Sequence, residues 1–109
     1  METDMSDNIT IKLAGEDVEL VPSFKASEAI QKKFGGLNSA TDAVVKLSAD
    51  NVVAIIAIAA DTKGDDALKA LHEKVYEAGL VKLRRPLVKY LERLGHGGRD
   101  PDTEEDEAA

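Results

Sequence analysis

The chain has 109 residues, of which 43% are hydrophobic and 32% charged, a balance that fits one soluble domain with one core. It has no cysteine, which excludes disulfide staples, thiolate metal sites and a cysteine nucleophile, and aromatics at 4% leave few platforms for stacking bases or sugars. The net charge of −7 belongs to one end: Asp100, Asp102, Glu104, Glu105, Asp106 and Glu107 have no base among them, and the rest of the chain is close to neutral.

The opening Met1-Glu2-Thr3-Asp4-Met5-Ser6-Asp7 is acidic and polar, unlike a signal or transit peptide. Residues 1–7 and the acidic stretch 99–109 are expected to be disordered; in the latter no apolar residue larger than alanine, Pro101 apart, can offset the ordering entropy. Residues 8–98 are expected to form a single domain. Ile9, Ile11 and Leu13 alternate with Thr10 and Lys12, and Val18 and Leu20 resume the alternation after Gly15-Glu16. That spacing predicts a β-hairpin with one buried face; without Asn-Gly the turn type is open.

Pro22 ends the second strand, and Ser23 is placed to cap a helix beginning at Phe24. Ala26, Ile30 and Phe34 recur every fourth residue, and Gly35-Gly36 supplies a stop. A shorter helix is predicted over Leu37–Leu47, with Asn38, Ser39 or Thr41 as its cap. Ser48 is the expected cap of a third helix, with Asp50 in its first turn. Val52–Ala60 is apolar nearly all round, too short for the roughly 20 residues that span a bilayer, and its alanines favour a buried helix over a buried strand. A cytoplasmic location and no membrane association are expected.

Asp65 or Asp66 opens a fourth helix with a Leu68/Leu71/Val75/Ala78 stripe, ended by Gly79. A final helix is predicted over Lys82–Leu94, beginning near Pro86 or kinked there. Its residues Leu83, Leu87, Tyr90, Leu91 and Leu94 share one face, and Lys82, Arg84, Arg85, Lys89 and Arg93 form a basic one. The apolar stripe is either a partner-binding surface or internal core. The basic face is either solvated or an anion site, on which the acidic tail is a possible occupant. The fold class is thus α+β: an N-terminal hairpin followed by about five helices.

The search for chemistry yields little. His72 has Lys69 and Tyr76 at helical spacing, which complete no metal set, and His96 lies in a glycine-rich helix exit. Gly35-Gly36 and Gly95-His96-Gly97-Gly98 lack the spacing of phosphate-binding loops. Asp61, Asp65 and Asp66 surround Gly64 without the twelve-residue calcium pattern. No serine has a histidine nearby in the sequence. No enzyme activity, metal or cofactor is expected. The near-neutral body and acidic end oppose nucleic acid as a partner.

One stretch, Ile9–Ile30, reads as a short hairpin followed by Leu20, Pro22, Ser23, Phe24, Ala26 and Ile30, then a helix ended by Gly35. With the capped apolar helix Ser48–Ala60 and the turn Glu77-Ala78-Gly79-Leu80, it resembles the small tail proteins of gene transfer agents and siphophage-like prophages, catalogued as tail assembly chaperones or tail tube proteins. The resemblance covers roughly Ile9–Gly98; the acidic end and Pro86 depart from it. It implies an interaction protein of the bacterial host cytoplasm. Its partners would be the tape measure protein and other tail proteins, with self-association possible. A structural tail tube component fits less well, since stacked rings use more sheet than one hairpin. A small regulatory or nucleic-acid-binding module using the basic helix is the alternative from another class.

Overall fold

A computed structural model describes residues 8–99, so the segments expected to be disordered, 1–7 and 99–109, lie outside the described residues except for Arg99. Arg99 lies in the turn after the last helix, where its amide donates to the His96 carbonyl at 3.4 Å. Strands β1 (Ile9–Leu13) and β2 (Glu16–Leu20) pair antiparallel, with Ile9 opposite Leu20 and Leu13 opposite Glu16. The loop is Ala14-Gly15, with φ of 52° and 84°. Two consecutive left-handed residues are the signature of a type I′ turn, whose twist matches that of the strands. Ile9, Ile11 and Leu13 are buried and Thr10 and Lys12 exposed, as the alternation predicts.

Five helices follow: α1 (Phe24–Phe34), α2 (Leu37–Val45), α3 (Ala49–Ala59), α4 (Asp65–Ala78) and α5 (Leu80–Gly95). The α+β architecture is as expected. Ser23 caps α1, its Oγ accepting from the Ala26 amide at 3.1 Å, and Gly35 closes the helix in the left-handed conformation. The cap of α2 differs from expectation: Gly36 holds that position. Asn38, Ser39 and Thr41 lie within α2, where Thr41 Oγ1 donates back to the Leu37 carbonyl at 3.0 Å. Ser48 stands at the N-cap position of α3 as expected, but its Oγ accepts from Asn51 Nδ2 at 3.0 Å rather than from a backbone amide.

Helix α3 is the axis of the core. It packs on α1, α2, α4 and β2, and Val52, Val53, Ile55, Ile56, Ala57 and Ala59 are buried around it. That all-round burial explains its lack of amphipathic pattern. Helix α5 begins two residues before its predicted start and holds Pro86 in its interior. Proline has no amide, so the Lys82 carbonyl cannot receive the usual bond from four residues on. After α5 the chain turns back, and the amides of His96 and Gly98 both donate to the Arg93 carbonyl, at 3.0 and 2.6 Å. A β-carbon at Gly98 would stand 2.6 Å from the Pro22 carbonyl oxygen, so glycine is required for this return. No helix among the described residues is long and apolar enough to cross a membrane.

Candidate functional site

The apolar stripe of α5 belongs to the core. Leu83, Leu87, Tyr90, Leu91 and Leu94 are all buried, Leu87 and Tyr90 completely, where α5 packs against α2 and β1. This corrects their reading as a partner-binding surface: so small a chain has few other large side chains with which to seal its centre. Arg93 is also corrected, from basic face to buried position. It stands at the edge of the apolar stripe, in the turn where the chain folds back, and its aliphatic stem can lie along apolar neighbours. Lys82, Arg84, Arg85 and Lys89 are exposed, as a basic face requires. Arg84 Nη1 donates to the Val45 carbonyl at 3.5 Å, a long and exposed bond.

The open apolar surface lies elsewhere. A groove of about 1050 Å³ runs between β2, α1, α3 and the start of α4. Its floor is built from Ala26 and Ala29 of α1 and Ala54 and Ala57 of α3. Both pairs are three residues apart, so each presents one helix face, and methyl groups there leave a channel that larger side chains would fill. Val18, Val21 and Leu68 form the walls, and Lys25, Lys33, Asp50, Asp61, Lys63 and His72 stand among the polar lining. The charges are of both signs, so the groove selects for apolar contact more than for net charge.

Two apolar side chains are left outside the core at one end. Val21, which lines the groove, is 42% exposed, and Phe24, next to the lining residue Ser23, is 79% exposed. Leu20, Ala26 and Ile30 of the same stretch are buried and Ser23 caps α1, so Phe24 alone has no structural role there. Val21 is held from two sides. Its amide donates to the Ala59 carbonyl at 3.2 Å, and its carbonyl accepts from the Tyr90 hydroxyl at 2.8 Å. Burial lifts that hydroxyl far above the usual phenol range, so it stays protonated as the donor.

Sequence reasoning missed this groove, whose residues come from four elements far apart in the sequence. One signal was available: Phe24 is off the Ala26/Ile30/Phe34 stripe, and in a chain with two phenylalanines an off-stripe aromatic is informative. His72 is exposed at the groove and His96 half-buried in the helix exit. Among the described residues no group of three or more His, Asp or Glu side chains is arranged to hold a metal ion. What the arrangement can do chemically is exclude water from apolar surface. No protein-family model, curated protein or solved structure matches the chain.

Proposed function

We propose that this chain is a tail assembly chaperone of the gene-transfer-agent and siphophage-like prophage type, which holds apolar helical segments of a tape measure protein in the bacterial cytoplasm until tail subunits assemble. The observation that carries the reading is the alanine-floored groove with the exposed Val21 in its lining and the exposed Phe24 next in sequence to the lining residues Ser23 and Lys25. It is added to the resemblance of Ile9–Ile30 to that family. A chaperone for a long apolar helix needs an open apolar channel and no reacting groups.

The energetics state what the occupant must be. Each aliphatic side chain buried contributes roughly 1.5–3 kcal/mol, while association costs on the order of 4–15 kcal/mol before any net affinity appears. One anchor is therefore insufficient. A helix presenting several apolar residues at spacings of three and four meets the requirement, and it would release readily when a better-packed structure competes for it. The tail tube reading is less well served, because the described residues hold one two-stranded sheet.

The test is co-expression with a tape measure protein of a siphophage-like prophage, followed by pull-down in low and high salt. Capture should survive high salt, since apolar contact is not screened as ion pairs are. Ala29 and Ala54 are only half-buried, so Ala29→Leu with Ala54→Leu should fill the groove without unfolding the chain. That variant and Phe24→Ser should lose capture while their thermal midpoints stay close to the parent. A tape measure protein equally soluble without this chain, or captured equally by the filled groove, overturns the proposal.

A further inference from the structure

The outer faces of α4 and α5 carry matching patterns that the groove does not use. On α5, Val81, Arg84, Arg85, Val88, Lys89 and Glu92 lie at spacings of three and four, on one helix face. With Val45 of α2 they border a shallow depression. Val81 is 64% exposed and Val45 49%, large values for valines set among cations. On α4, Asp66, Lys69, Glu73, Tyr76 and Glu77 share the solvent face, and Tyr76 is 85% exposed. Neighbouring charges are already engaged: Lys46 pairs with Asp42 and Lys74 with Glu16, both at 3.0 Å. Lys82 and Glu77 of one copy border a common depression. Lys69, Glu73, Glu77, Arg84, Arg85, Lys89 and Glu92 form no ion pair among the described residues.

The two faces fit each other when run in opposite directions. Arg84 and Glu92 are eight residues apart, and so are Glu77 and Lys69. Placing Arg84 opposite Glu77 therefore places Glu92 opposite Lys69, with Arg85 and Lys89 flanking Glu73 and with Tyr76 beside the valine row. We infer that the outer face of α5 is a docking site for the outer face of α4 on a second copy of this chain, the helices antiparallel. Exposed ion pairs contribute little one at a time. The charges accordingly set direction and register, and Tyr76 against Val81, Val88 and Val45 supplies the buried apolar contact. Each copy carries both faces, so the contact is heterologous and repeats from copy to copy.

The experiment is sedimentation of the full chain over a range of concentrations in low and high salt. The mass should exceed the monomer in low salt and fall toward it as salt screens the pairs. Arg84→Glu with Lys89→Glu should weaken association by about a hundredfold or more, and so should Glu73→Arg with Glu77→Arg, because like charges then face each other. All four positions are exposed, so folding should be preserved, as circular dichroism will report. Mixed in equal amounts, the two reversed variants should associate again, each altered face meeting its new complement. A wild-type chain that stays monomeric, a reversal that leaves association unchanged, or a mixture that stays apart each overturns the inference.

Discussion

The Tyr90 hydroxyl reaches across 69 residues of sequence to hydrogen-bond the Val21 carbonyl at 2.8 Å. It ties the centre of α5 to the residue that forms one wall of the groove. Tyr90 is completely buried, and the Ser23 amide shares the same carbonyl at 2.9 Å, so the wall is set from the core outward.

Removing only that hydroxyl tests the tie. Tyr90→Phe keeps the ring in place and loses one hydrogen bond, which should cost about 0.5–1.5 kcal/mol. For a domain of this size that lowers the thermal midpoint by several degrees. Capture of an apolar helix should weaken as well, because Val21 loses one of its restraints. An unchanged midpoint in thermal melts would mean that the bond adds nothing to stability.

The same residue shapes the response to alkali. Burial keeps the proton on folded Tyr90 well past the ordinary phenol value of 10.0, near which the unfolded chain releases it. Below that value both states bind the proton, and Tyr90 adds no pH dependence. Above it the folded state binds more protons than the unfolded one, so stability falls as pH rises. Denaturation curves on either side of that value should show this loss in the parent chain, and the Tyr90→Phe variant should lack its share.

The hairpin turn is open to improvement. Ala14 holds a φ of 52°, a conformation that costs a residue with a β-carbon about 1–2 kcal/mol and that asparagine tolerates better. Ala14→Asn would create the Asn-Gly pair that type I′ turns favour. Stability should rise by about 0.5 kcal/mol, measurable as a higher denaturant midpoint with unchanged slope.

At the other extreme, Ile11 is 4% exposed on the buried face of β1. Ile11→Asp would place a carboxylate among aliphatic side chains at a cost of several kcal/mol. That is a large share of the total stability of a small domain, so soluble yield and native circular dichroism should both collapse. A variant that folds normally would contradict burial of this face.

Where one element carried its own signal, the sequence was readable. Alternation at Ile9/Ile11/Leu13 marked a strand, and Ser23 and Gly35 marked the two ends of α1. Limits appear where structure depends on what lies across space. Ser39 and Ser48 look like caps because their chemistry suits the role; in the fold Ser39 lies inside α2, and Ser48 holds the N-cap position of α3 with its hydroxyl turned to Asn51. Arg93 follows Lys89 by four residues and reads as part of the same face, but the turn that buries that end of α5 comes later in the chain. The groove was hidden for a related reason. Ala26, Ala29, Ala54 and Ala57 are ordinary helix formers when read singly, and only the approach of α1 to α3 turns them into the floor of a channel.

Pro86 leaves α5 with two ends that open at different speeds. Its missing amide takes one rung from the helix between the turn that carries Val81 and the turns that carry Leu87, Tyr90 and Leu91. The first turn is therefore held by fewer rungs than the later ones, and the amide protons of residues 80–82 should exchange with deuterium well before those of residues 87–94. Val81 rides on that first turn, whereas the tie from Tyr90 to Val21 belongs to the slow part. One helix thereby gives its two ends different lifetimes: a first turn that renews itself quickly, and later turns that persist until the whole domain comes apart.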